Sequence, residues 1–161
     1  MGSQGSYYDR TAGSIEAPGE TPAFATKQDL SNQSEVARLI EARWDCKVHS
    51  FGHWSPIDWW IERNGEVAAL AELKSRSHES TKFDSVFLNV RKWIALQMGS
   101  VGLKAPSLYV VKFTDTVKWI DVCEVDASKM EIGGCRTYVK SRTDVEPVIH
   151  VDISKMKSIA G

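Results

Sequence analysis

The run from Ile57 to Arg76, IDWWIERNGEVAALAELKSR, constrains this chain more than any other stretch. Two β-rich segments flank Asn64-Gly65, the strongest short-range hairpin signal, because both central residues of a tight type I′ turn need φ > 0. The second segment is apolar from Val67 to Ala71 and then carries Glu72, Lys74 and Arg76. An acid and two bases at the end of so apolar a strand call for a reason.

Side chains alternate across a strand, so Glu72, Lys74 and Arg76 share one face while Ala71 and Leu73 take the other. Whether Asp58 joins them depends on the turn. A two-residue turn pairs Arg63 with Glu66, sets Asp58 opposite Ala71 and separates the two acids. A three-residue loop, either Arg63-Asn64-Gly65 or Asn64-Gly65-Glu66, reverses the parity. Cooperation between Asp58 and Glu72 therefore requires an odd loop or a bulge. Converging carboxylates repel, which drives one toward its protonated form unless a cation intervenes. Mg²⁺ takes oxygen ligands and keeps several waters, so two carboxylates, a main-chain carbonyl and a phosphate oxygen suit it. Lys74 beside such an ion is suited to orient or deprotonate a water and to counter charge building on phosphorus.

The pattern Pro56-Ile57-Asp58 followed, one hairpin later, by Glu72-Leu73-Lys74 resembles the PD-(D/E)XK nuclease superfamily. An isoleucine separates the proline from the aspartate, at a position where the family's proline is variable. Upstream, SEVARLIEARWDCKVHSFG looks like the helix and strand that precede this motif in archaeal Holliday-junction resolvases and many phage nucleases, so the resemblance spans Ser31 to Arg76. It implies a restriction-endonuclease-like α/β fold, a central mixed β-sheet flanked by helices. It also implies a site in which Asp58 and Glu72 bind Mg²⁺, with Mn²⁺ as a substitute, Leu73 lends its main-chain carbonyl and Lys74 assists the attacking water. Glu35, early in the helix, takes the place of a glutamate that completes the site in those relatives, directly or through water. Periodicity alone does not choose Glu35 over Glu41, since the two flank the apolar stripe on opposite sides.

Residues 1–27 are rich in Gly, Ser, Thr, Pro and Ala without apolar period and read as a flexible N-terminal arm; residues 28–161 form a single nuclease-like domain. Within SNQSEVARLIEARW, Val36, Leu39, Ile40 and Trp44 recur at helical spacing behind a serine or asparagine cap. A strand at 47–51, the hairpin, a strand around Val86–Leu88 and a second helix from about Asn89 follow. That helix has Val90, Trp93, Ile94 and Met98 on one side and Gly99 and Gly102 at a fraying end. Strands are then expected at 107–113, 117–125, 135–140 and 148–153, with Gly133-Gly134 in a loop. This order gives a mixed sheet between helices.

The net charge of -1 announces no global basic field, so nucleic acid would have to meet a local cluster of Lys and Arg. An odd set of scattered cysteines, Cys46, Cys123 and Cys135, argues against a disulfide framework. With no apolar run of membrane-spanning length, a cytoplasmic protein of a bacterial, archaeal or phage-infected host is expected.

The remaining candidates are substrate contacts. Arg76 is placed to meet a phosphate, and its alternative is a solvated strand end. Lys92, in NVRKW, looks like the helix lysine that faces the site in several nuclease subfamilies, and Arg91 adjoins it; a solvated helix face explains both equally. Trp54, in the loop before Asp58, is suited to stack on a base, and His53 beside it to touch substrate. Cys46, His49 and His53 lack a fourth zinc ligand. The reading is a Mg²⁺-dependent nuclease hydrolysing DNA, structure-selective or nicking, acting on double-stranded or branched substrate in recombination, repair or phage DNA processing, with a homodimer as its assembly. Its rivals are a non-catalytic binding module that retains the fold, favoured if Asp58 faces away from Glu72, and a nuclease acting on RNA or single-stranded ends.

Overall fold

The computed structural model describes residues 27–52, 54–134 and 145–159. Helix α1 (Lys27–Trp44) opens the described chain and is followed by strands β1 (Lys47–Ser50), β2 (Trp59–Arg63), β3 (Glu66–Ser75) and β4 (Ser85–Asn89). Helix α2 (Val90–Leu103) leads into β5 (Ser107–Lys112), β6 (Val117–Asp121), β7 (Met130–Gly134), β8 (Val145–Asp152) and the short β9 (Lys157–Ser158). Residues 1–26 of the expected arm, and the strand expected at 135–140, lie outside the described residues. The first helix starts at Lys27, ahead of the expected serine or asparagine cap.

Six strands form one mixed sheet in the order β1-β2-β3-β5-β6-β9. Among the described residues only β3 and β5 are parallel, and their connection carries β4 and α2 across one face, as a parallel pair requires. Alternation along the strands divides the core. Ala69, Ala71 and Leu73 of β3, with Leu108 and Val110 of β5, pack against Val36 and Ile40 of α1. Leu70, Tyr109, Val111 and Ile120 face the other way, toward α2 and a second, three-stranded sheet ordered β4-β8-β7. The layer opposite α1 is thus a helix and a small sheet together. β4 pairs antiparallel with β8, a partner far along the chain that local pattern does not reveal.

Helix α2 corrects half of the expected stripe: Val90 and Trp93 pack against the core, but Ile94 and Met98 do not. Leu96 is fully buried, whereas Ile94, Met98 and Val101 lie 46%, 71% and 79% exposed. The face that docks is defined by Gly99: a Cβ there would stand 2.5 Å from Leu70 Cδ1 and 3.2 Å from Ile57 Cδ1. Gly99 is therefore a close-approach residue and not a fraying end. Lys92, two turns earlier on the same side of the helix, is brought over β3 with it. Gly133 and Gly134, expected in a loop, end β7. Trp59 is core at 4% exposure, while Trp60 points to the opposite face and stacks on His49 at 4.1 Å.

Candidate active site

The hairpin meets both demands that its sequence made. Asn64 at φ 55° and Gly65 at φ 80° make a two-residue turn that pairs Arg63 with Glu66. The register then shifts between Ile61 and Glu62: Glu62 pairs with Val67 but Ile61 pairs with Ala69, leaving Ala68 as the extra residue of a β-bulge. Beyond the bulge Trp59 stands opposite Ala71, so Asp58 reaches the level of Glu72 and shares its face. The tight turn suits Asn-Gly, and the bulge restores the parity that the acids need.

At this corner Asp58 Oδ2 accepts a hydrogen bond from the Leu73 N–H at 2.9 Å. In an extended strand the N–H and C=O of one residue project toward the same edge, so the Leu73 carbonyl points to the side on which β2 has already ended. Glu72 is buried, and Lys92 Nζ lies 2.8 Å from its Oε1 and 3.0 Å from its Oε2. The same ammonium is 4.0 Å from Asp58 Oδ1. Burial, and next the charge of Asp58, push the Glu72 carboxyl up to about 7 despite Lys92. The pair is thus short of positive charge. Two oxygen-rich acids and a strand-end carbonyl, in surroundings that penalise uncompensated negative charge, fit a hard divalent cation such as Mg²⁺. Among the described residues no group of three or more Asp, Glu, His or Cys converges as a metal cluster, so the protein's donors at this corner are these two acids and the carbonyl.

Lys74 follows Glu72 on the same face. The protein around its ammonium, and then the neighbouring charge of Arg76, lower its pKa; because much of the side chain is open to solvent, that shift is a softened one. A lysine held below its ordinary range is a better proton acceptor. The charge of Arg76 reaches Tyr109, a fully buried phenol that stands beside Glu72 in the β3–β5 register and donates to the Phe87 carbonyl at 2.6 Å. Sequence reasoning missed Tyr109, because only the parallel pairing sets it next to Glu72. Burial raises its pKa well above the ordinary phenol range.

The structure does not bring every candidate here. Glu35 is exposed and ion-paired with Lys112 of β5, whose ammonium also donates to Asn32 Oδ1 at 2.9 Å. It belongs to α1, packed on the opposite face of the sheet from Glu72. The acid of α1 whose charge reaches Lys74 is Asp29, in the first turn. Only the earlier start of the helix makes that residue helical. Arg91 points to Glu146 at 3.4 Å, away from the acids. Trp54 is 79% exposed in the loop before Asp58, and His53 lies outside the described residues. His49 bonds Glu62 at 2.8 Å and stacks on Trp60, a satisfied structural histidine.

The chain matches, over residues 20–159, the model of a family described as "Phage putative PDDEXK endonuclease". It belongs to this PD-(D/E)XK endonuclease family. Among solved structures it is similar to the Holliday junction resolvase Hjc of Archaeoglobus fulgidus, at 12% identity and a TM-score of 0.54, covering 81% of this chain and 93% of that one. That likeness establishes the restriction-endonuclease-like fold. A comparison with curated proteins finds no match.

Proposed function

We propose that this PD-(D/E)XK protein is a Mg²⁺-dependent endonuclease that hydrolyses DNA phosphodiester bonds, nicking or cutting branched duplexes during recombination, repair or phage DNA processing. The observation that carries the reading is the bulge at Ala68, which turns Asp58 to the face of Glu72 and Lys74. A scaffold that had lost its chemistry has no need of two acids on one buried corner with a lysine beside them, so the bulge weighs against a non-catalytic module.

Asp58, Glu72 and the Leu73 carbonyl would hold the divalent cation, Mg²⁺ or Mn²⁺ in its place. When bound, such a cation stabilises charge on the phosphate and eases deprotonation of water. Lys74, with its lowered pKa, orients the attacking water, takes up its proton and then faces the charge that grows on phosphorus. Arg76, next but one on the same face, meets a phosphate oxygen as a bidentate donor. Trp54, exposed just ahead of Asp58, supplies an apolar surface for an unstacked base. Branched DNA is favoured as substrate because Hjc, of like fold, is described as a Holliday junction resolvase. A homodimer presenting two sites to one junction fits the same reading.

The test is cleavage of supercoiled, linear, single-stranded and four-way-junction DNA with Mg²⁺, Mn²⁺ or EDTA, comparing wild type with Asp58→Asn and Lys74→Ala. Metal-dependent cleavage lost in both variants is the expected result. Activity that survives EDTA, or both substitutions, overturns the reading.

A further inference from the structure

The cation at the acidic corner is a side chain. Lys92 Nζ sits 2.8 and 3.0 Å from the two Glu72 oxygens and 4.0 Å from Asp58 Oδ1, with its side chain only 19% exposed. Asp58 Oδ2 is already committed to the Leu73 N–H. The carboxylate oxygens left for an incoming ion are therefore the three that Lys92 faces. Lys74 does not share this role, since among the described residues both ion pairs of the corner run through Lys92.

Resting on the metal-dependent reading, we propose that Lys92 is a tethered stand-in for the metal, and that metal entry exchanges its ammonium for the ion and releases it toward the substrate phosphate. Two acids in a buried corner repel strongly without a cation, so the metal-free protein needs one to keep the corner assembled. A lysine suits an exchangeable counter-ion: a compact charge on a flexible stem, carried here by a helix that Gly99 holds close to β3. Arginine would grip Glu72 with two parallel bonds and leave less readily. The exchange makes metal affinity a competition and turns the corner's own counter-ion into a phosphate contact once the ion is seated.

Two measurements on the full chain test this. In the first, Mn²⁺ binding is followed by calorimetry without DNA. Lys92→Met tightens binding by about tenfold, within the range of coupling between two ligands of one site. Lys92→Arg weakens it below wild type, whereas simple charge repulsion would leave Lys and Arg alike. In the second, wild-type amines are acylated with and without Ca²⁺ and mapped by mass spectrometry. Lys92 labelling rises several-fold with the ion, while that of Lys47 and Lys157, exposed away from the corner, stays constant. Mn²⁺ binding that Lys92→Met fails to tighten, or Lys92 labelling unchanged under saturating Ca²⁺, overturns the exchange and leaves the nuclease reading intact. Absence of Mn²⁺ binding to both wild type and Lys92→Met overturns the metal-dependent reading and the exchange with it.

Discussion

Among the described residues, two glutamate–lysine pairs join an α-helix to the main sheet, one on each face, and they differ in every respect that matters for chemistry. Glu72 of β3 and Lys92 of α2 are enclosed, their side chains 11% and 19% exposed, with a second acid within reach. Glu35 of α1 and Lys112 of β5 form the other pair, with the glutamate side chain 67% exposed and an amide, Asn32, as company. The first pair is short of positive charge and carries a carboxyl pushed up to about 7. The second is an exposed ion pair of the kind that contributes 0–1 kcal/mol, roughly. What separates a site from a surface contact is burial plus a second acid, not the presence of Glu and Lys.

The sharpest way to break this contrast is cleavage activity. Asp58→Asn and Glu72→Gln should lower the rate on supercoiled or junction DNA by more than about 10³-fold, as expected when residues act as one unit. Glu35→Gln should stay within about threefold of wild type, because its pair is exposed. A large loss with Glu35→Gln would show that α1 reaches the corner after all.

The bulge offers a second cut. Deleting Ala68 removes the extra residue and sets Asp58 and Glu72 on opposite faces, so the variant should keep a folded circular dichroism spectrum yet fall to the activity of Asp58→Asn. Retained cleavage would mean that the acids do not need a shared face.

Stability against pH separates the pairs next. An unfolded glutamate titrates near 4.5 and native Glu72 near 7, so between those values the native protein keeps a proton that the unfolded chain has lost. Stability of the metal-free protein therefore falls as pH rises through this window, by about 3 kcal/mol in all, and the cost is complete above 7. Urea unfolding in EDTA at pH 4.5 to 7.5 should record that fall, and Glu72→Gln should flatten it. Removing each lysine gives the smallest contrast. Lys92→Met should cost roughly 3 kcal/mol at pH 8 in EDTA, since it strips a buried pair of its cation. Lys112→Met should cost less than about 1 kcal/mol in the same assay.

Much of the site is legible in the sequence. The E-x-K segment announced itself because charge at the end of an apolar strand is unusual, and alternation put Glu72, Lys74 and Arg76 on one face without reference to the rest of the fold. Lys92 was legible by resemblance as a residue facing the site but not as the partner of Glu72, since the expected stripe of Val90, Trp93, Ile94 and Met98 docks only through Val90 and Trp93, and Leu96 and Gly99 complete the face. Asp29 precedes the expected helix start in SNQSEVARLIEARW, because Lys27 to Ser31 carry no apolar period. The second sheet was out of reach: β4 and β8 pair across about 60 residues of sequence, and no local rule selects such partners.

The sequence by itself determined the hairpin, its Asn-Gly turn, the acid and lysine on one strand face, and the conditional statement that Asp58 would join them only through an odd loop or a bulge. These are local, set by φ preferences and by the two-residue period of a strand. The tertiary structure decided that the condition is met, which helix supplies the counter-ion and which glutamate is left on the surface. Those outcomes depend on how distant segments pack: the register of β2 on β3 is fixed by which side chains each face buries, and Lys92 reaches Glu72 because α2 can lie against Leu70 where a glycine leaves room.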